Sequence, residues 1–525
     1  MRDNKTLFKN TRVYLFLFFC AGLLLYFNSL HNPFIWDDQI LVVNNPAIRD
    51  IHNLAKAFAT DISFGRQPTS SYRPLVNVSF ILDYSLWRLD ASGYHLTNIL
   101  LHIATSFFLF YLLASCLAQG RLFSLLVSLL FLVHPLQTNV VTYISGRADA
   151  LTGLFLILAV IGYIKFINGK RLYLAYLSAL FFFFALCSKE MAFTFPFIIL
   201  LYEYVFLDKG ERAALRQKRI YTFAAKNHTI YGADGFGRSS ISPRGIPEAF
   251  SPGGLNFYGL LLLVCLAYLG LRLAALRSFI GLGSHFYPSL AQRLLPIPII
   301  FCRYLRLLLL PYGLSLSHIV HMPFSIFEPQ TLAAIFLWLI FIIFSLRSIH
   351  YCRVLFFGLA WFFIHLLAVS NLIPLNAYMA EDWLYLPSMG FFIGLVALGF
   401  KLNKRLFIFV LCLSLPVYAW LTFQRNLDYN DPVKFYQKTL IYSPRNFKMY
   451  HNLGILYLDR AETDLAIAAF EDAIRFKPDF AESFLGLGFA YQKKGRSDIA
   501  ESCYNKALRI KPGLKEIKEY LANLK

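Results

Sequence analysis

The chain is poor in acidic residues. Asp and Glu total 30 against 50 Lys and Arg, and only 15% of its 525 residues are charged. Cysteine is sparse as well. The eight present are scattered, mostly in or beside apolar stretches, and no Cys-x-x-Cys occurs. That pattern excludes a disulfide framework or a zinc site as the organising device, and the cysteines read as small apolar filler. The sequence contains no G-x-x-x-x-G-K-S/T, no nucleophile elbow and no H-E-x-x-H. Nothing therefore implies bound nucleotide, a serine hydrolase or a zinc protease.

Apolar surface is what abounds. Hydrophobic residues make up 57% and aromatics 17%, with 53 Phe, and the mean hydropathy is +0.53. Repeated windows of about 17–25 apolar residues predict membrane-spanning helices. The expected spans are 13–28, 97–118, 121–137, 148–167, 171–188, 190–207, 254–272, 331–348, 354–373, 384–400 and 406–423. The formal charge of +20 collects in the connectors Gly169-Lys170-Arg171, 208–219, 347–353 and 401–405. Basic connectors of this kind face the cytoplasm, which argues for a membrane partner and against nucleic acid. Residues 1–12 are basic, and no small-x-small cleavage site follows the first apolar run. That run is expected to be an uncleaved span with a cytoplasmic N-terminus.

The stretch 291–311 is apolar but carries Arg293, Arg303 and Arg306. A re-entrant or surface-lying helix there keeps every later basic loop in the cytoplasm. The expectation is an all-α, polytopic bundle of about eleven spans, with the C-terminus outside. It has a long first outer loop at 29–94 and a Gly-, Ser- and Pro-rich connector at 220–253.

The composition changes after residue 425. Pro444, Pro478 and Pro512 recur every 34 residues, as do Gly454 with Gly488 and Ala473 with Ala507. This is the tetratricopeptide pattern, with small residues where helices approach closely and Pro ending the second helix of each unit. Residues 1–425 are thus read as the membrane domain and 426–525 as a short solenoid, a surface for protein binding rather than chemistry.

With this topology, the polar residues near span ends fall on the outer face: Asp37, Asp38, Arg73, His95, His134, Arg147, Asp149, Lys189, Glu190, Glu381 and Asp382. Their convergence from separate segments suggests an active site opening outward. Asp37 and Asp38 read as a general base with a partner, since a like-charged neighbour raises one carboxylate's pKa; they also suit a helix cap or turn. Arg73, Arg147 and Lys189 are candidate phosphate ligands, but each could equally snorkel or neutralise a nearby acid. His95, Asn98 and His102 share one helical face, where hydrogen bonding within the bundle is the plainer reading. Glu381 and Asp382 either face the first acidic pair or cap a helix N-terminus.

These residues lie in a series of short motifs: Trp36-Asp37-Asp38 with Asn44-Asn45-Pro46, then Tyr72-Arg73-Pro74-Leu75, then Gly93-Tyr94-His95-Leu96-Thr97-Asn98-Ile99-Leu100-Leu101-His102. His134-Pro135, Gly146-Arg147-Ala148-Asp149, Ser188-Lys189-Glu190 and Leu384-Tyr385-Leu386-Pro387-Ser388-Met389-Gly390 follow. In this order, and with the C-terminal repeats, the chain resembles the TMTC group: transmembrane, tetratricopeptide-containing O-mannosyltransferases of the GT-C class. The resemblance runs along nearly the whole chain. It implies a GT-C helix bundle, a polyprenyl- or dolichyl-phosphate sugar donor, a protein or glycan hydroxyl as acceptor, and inversion at the sugar carbon. On that model Asp37 or Asp38 takes the acceptor proton, and Arg73, Arg147 and Lys189 stabilise the departing phosphate. His95, His134, Asp149, Glu190, Glu381 and Asp382 would support the site, which would lie in the periplasm, outside the cell or in the endoplasmic reticulum lumen. A divalent metal such as Mg or Mn is left open. The family usually places Arg where Asp382 stands, so a phosphate-binding role is not carried over there. The short repeat array leans toward a bacterial-type member. Two other readings share this layout: an O-antigen-ligase or polymerase type of enzyme, and a non-catalytic scaffold for envelope assembly acting through its repeats.

Overall fold

A computed structural model describes residues 4–65, 71–169, 171–207, 257–276, 289–316, 318, 320, 322, 323, 325–375, 377–513 and 520. The expected connectors at 208–219 and 220–253, and the start of the expected span 254–272, lie outside the described residues.

Among the described residues the architecture is helical throughout. The first helix, α1 (Asn4–Tyr26), leads into a chain of short turns, α2 (Leu54–Ala57) and α3 (Pro74–Trp87). Then come α4 (Ala91–Tyr111), α5 (Arg121–Val133), α6 (Thr138–Val141), α7 (Arg147–Gly169), α8 (Leu172–Leu186) and α9 (Phe195–Phe206). The chain continues with α10 (Phe257–Leu276), α11 (Leu290–Leu294), α12 (Ile297–Leu309), α13 (Pro329–Arg347), α14 (Arg353–Ala368) and α15 (Tyr385–Asp428).

Burial orders these helices. Of α7's apolar window, 72% is buried inside the protein, against 17% for α13 and 11% for α10. The central helix is thus sealed by protein, while α10 and α13 keep the apolar exterior expected of lipid-facing elements. Where helices must approach closely, side chains vanish: a Cβ on Gly358 would come within 2.6 Å of the Gly390 backbone, so α14 and α15 touch main chain to main chain.

Six helices among the described residues are long and apolar enough to cross a membrane, or seven if the pair α5 and Pro135–Val141, bent by 50°, is one span. The count of about eleven is therefore not reached by length alone. Helices of 12–16 residues such as α9, α8 and α14 extend about 18–24 Å, short of a hydrocarbon core of about 30 Å. The 44-residue α15 is interrupted at Asn403, whose φ of −152° and ψ of 97° are not helical. Its two ends meet, because Glu381 just before it bonds Arg425 near its close. The element is a hairpin, and Asn403 Oδ1 caps the returning half by accepting from Leu406 N at 3.0 Å.

The described residues of the segment 29–94 form a layer of their own. The short helices there and α3 enclose a small core of Val42, Ile48, Phe80, Ile81, Tyr94 and Ile144. Beyond α15 stands the solenoid: α16 (Pro432–Tyr442), the pair α17 (Phe447–Asp459) and α18 (Thr463–Phe476), and the pair α19 (Ala481–Lys493) and α20 (Ser497–Ile510). A Cβ on Gly454 or Gly486 would come within 2.6 Å of the Phe470 ring, which is why the repeat demands small residues there. The solenoid is seated on the bundle: Val433, Phe435, Tyr436, Met449 and Leu453 bury against Ile35 and Tyr143.

Candidate active site

The acidic dyad is split by the backbone. Trp36 takes a positive φ of 51°, unusual for a bulky residue, and the turn gives the two following side chains separate environments. Asp38 is buried and saturated. Its Oδ1 accepts from Ser145 N at 2.9 Å and Ser145 Oγ at 2.5 Å, and its Oδ2 from Ile35 N at 3.1 Å. Burial pushes its carboxyl up to about 7, and the three donors act the other way. Asp37 is open to solvent, yet protein surrounds it on most sides, so it stands in a recess and not on a convex surface. That enclosure raises its pKa, opposed by Tyr143, Lys448 and Arg73 and reinforced by Asp382.

The recess continues through groups from five further segments. Arg73 precedes Pro74 in an extended conformation that Pro imposes, and α3 begins with that Pro. Its Nε lies 3.9 Å from Glu190 and has no hydrogen bond among the described residues. Glu190 is held more tightly by Arg272 at 2.5 Å. Burial works against the Glu190 charge, but the two guanidinium groups hold its carboxyl below the usual range. Lys189, in extended backbone between α8 and the next turn, sends its ammonium to both Asp149 oxygens at 2.7 and 2.8 Å and to Asp382 at 3.1 Å. Burial disfavours this cation, yet Asp149 and Asp382 more than offset that and raise its pKa. The Asp382 and Glu190 side chains are 32% and 34% exposed, so charge in the recess is accessible.

Other expected site residues are sealed. Arg147 is fully buried. Its guanidinium pairs with Asp83 at 2.5 Å, donates to Asn98 Oδ1 at 2.7 Å and Tyr94 O at 2.8 Å, and stacks on Phe80. Those contacts leave it bracing α3, α4 and α7 with no face toward the recess. His95 ties α4 to the first loop by bonding Asn32 O at 3.0 Å, and His134 bonds Leu308 O at 3.1 Å. Glu381 anchors a separate buried network. It bonds Arg425 at 3.1 Å, Asn139 at 2.9 Å and His318 at 2.8 Å, and it accepts from Ser315 N at 2.5 Å.

Asp37, Arg73, Asp149, Lys189, Glu190 and Asp382 are therefore the expected residues brought together. Arg272, Tyr143, Ser145, Asp83 and Lys448 join or support them and were not singled out from the sequence. Arg272 carried a usable signal, a cation near the end of an otherwise apolar helix. Among the described residues no three His, Cys, Asp or Glu side chains form a metal-ligand group. Asp149 and Asp382 instead share an ammonium, an arrangement that does not fit a metal.

A tetratricopeptide-repeat family profile matches residues 447–480 and 481–513. Protein O-mannosyl-transferase F38B6.6 of Caenorhabditis elegans is 27% identical over 474 residues, covering 87% of this chain and 62% of its own. Protein O-mannosyl-transferase TMTC3 of Homo sapiens is 27% identical over 482 residues, covering 86% of this chain and 50% of its own. The chain is a relative of the TMTC protein O-mannosyl-transferases. Over 148 residues, Protein O-mannosyl-transferase tmtc2 of Xenopus laevis reaches 38% identity, over 27% of this chain and 18% of its own. The chain spans between half and two thirds of the length of the first two. All three relatives are animal proteins, and nothing in them supports the bacterial-type assignment.

Proposed function

We propose that this chain is a membrane glycosyltransferase that moves a mannose-like sugar from a polyprenyl- or dolichyl-phosphate donor to a protein hydroxyl. What carries the reading is the recess that joins an open Asp37 to Arg73, with Lys189, Asp149 and Asp382 in the same electrostatic neighbourhood. An alcohol needs a base, and a phosphate leaving group needs cations; both sit here on one surface. Asp37 takes the hydroxyl proton as the acceptor oxygen bonds to the anomeric carbon from the face opposite the phosphate. The carbon–oxygen bond to phosphate breaks, and its electron pair leaves with the lipid carrier. That displacement inverts the sugar carbon. Arg73, whose Nε makes no hydrogen bond among the described residues, is the cation placed to meet the phosphate, and Lys189 offsets the charge of Asp149 and Asp382 beside it. Asp38 acts indirectly, pinning the turn to Ser145 so that Asp37 faces the recess.

The names of the relatives, Protein O-mannosyl-transferase, support mannose and a protein acceptor for this chain. The basic loops support a recess on the extracytoplasmic end, with the solenoid on that same side. A passive scaffold would have no use for an open, half-desolvated cation and carboxylate recess. The test is purified full chain in lipid nanodiscs with polyprenyl-phosphate-mannose and Ser/Thr peptides. Asp37→Asn should cut transfer by about 10³-fold while its melting midpoint stays near that of the wild type. Near-normal transfer by that variant would remove Asp37 as the base.

A further inference from the structure

The solenoid does more than stand beside the recess. Its first repeat borders the acidic turn. The Trp36 ring lies 6.0 Å from that of Tyr436 on α16. The Tyr436 hydroxyl in turn reaches Asn452 on α17 at 3.5 Å. Lys448, one turn earlier on α17, is exposed, makes no ion pair among the described residues, and acts on the Asp37 carboxylate across the gap. Positions 448, 452, 455 and 459 share one helical face. The buried residues of α17 are Met449, Leu453 and Gly454, none of them on that face. On the open face Ile455 is 41% exposed, an apolar residue with no packing reason to be there.

Resting on the transferase reading, we propose that this inner face of the first repeat is the acceptor surface. A polypeptide segment laid in extended form across Ile455, Asn452 and Lys448 presents its Ser or Thr hydroxyl to Asp37 beside Trp36. Residues 448 and 455 are about 10 Å apart along α17, the length of about three extended residues. The three side chains offer what such a segment needs: an apolar contact, an amide that can pair with peptide backbone, and a cation. Lys448 is the member nearest the chemistry, so it sets a preference for an acidic residue beside the hydroxyl.

Two peptides differing only in Glu or Lys flanks around one Thr test this, with the full chain in nanodiscs and polyprenyl-phosphate-mannose as donor. The wild type should favour the Glu-flanked peptide in kcat/KM by about tenfold, and Lys448→Glu should abolish or invert that ratio. Ile455→Asp should raise the acceptor KM about tenfold with kcat at saturation changed far less. An unaltered peptide preference in Lys448→Glu together with an unaltered KM in Ile455→Asp overturns the acceptor surface and leaves the transferase reading standing. A wild type that uses the donor yet glycosylates neither these nor a random Ser/Thr peptide pool also overturns it. A wild type that consumes no donor removes both.

Discussion

Arg73 and Arg147 belong to the same few turns of the molecule and have the same chemistry, yet they do different things. Arg147 lies in a closed pocket where Asp83, Asn98, the Tyr94 carbonyl and the Phe80 ring take up its donors and its face. Arg73 is 23% exposed, with a loose 3.9 Å ion pair and a buried Nε that makes no hydrogen bond among the described residues. The acids divide the same way. Asp38 is buried under three donors, whereas its neighbour Asp37 looks into the recess. Residue type therefore does not separate the braces from the working groups. What separates them is whether each side chain's hydrogen-bonding capacity is already consumed by the fold.

The largest effect that could break this comparison is on the sealed side. Arg147→Met leaves the Asp83 carboxylate buried without its partner and should destabilise the protein by about 3 kcal/mol or more. Arg147→Met combined with Asp83→Leu should recover much of that loss, because an apolar pair can fill a pocket that a lone charge cannot. Thermal unfolding in one detergent measures both. If the double variant is no better than the single, Arg147 is engaged elsewhere. On the open side Arg73→Met should leave the midpoint almost unchanged and cut kcat by about 10²-fold, the usual cost of removing one preorganised donor from a developing charge. A midpoint drop matching that of Arg147→Met would erase the distinction.

Much of this was legible in the sequence, for physical reasons. Apolar runs gave the helices because lipid and core both demand them, although several helices proved shorter than the runs, since chain entering from a 3-10 turn uses residues without spanning. Glu190–Thr194 before α9 is the example. The 34-residue period gave the solenoid because Gly454 and Ala473 sit where a larger side chain cannot fit. The acidic turn, Arg73 and Lys189 were legible as charges whose burial needs a reason. The roles of Asp38 and Arg147 were not, because Ser145, Asp83 and Asn98 come from other segments and only the folded chain reveals that they are already spoken for. Lys448 was invisible for the same reason, lying 411 residues from Asp37 with no local pattern to mark it.

Acidity offers the finer test. On the proposed mechanism Asp37 works as a carboxylate, and enclosure has raised its pKa above the ordinary 3.8 while Lys448 and Arg73 hold it down. Transfer should fall as pH drops through that raised value, and Lys448→Met should move the acid limb to higher pH. An unmoved limb would place Lys448 too far away to matter. Asp38 should be felt in stability instead. Its folded pKa of about 7 exceeds the 3.8 of an unconstrained Asp, so the folded state keeps a proton that the unfolded chain releases. Its contribution is then fully present below about pH 4 and is lost as the pH rises toward 7. Asp38→Asn cannot titrate, so its melting midpoint should depend less on pH across that window than the wild type's. Parallel curves for the two would mean that the Ser145 and Ile35 donors outweigh burial and that Asp38 is an anion throughout, a charged brace in place of a protonated one.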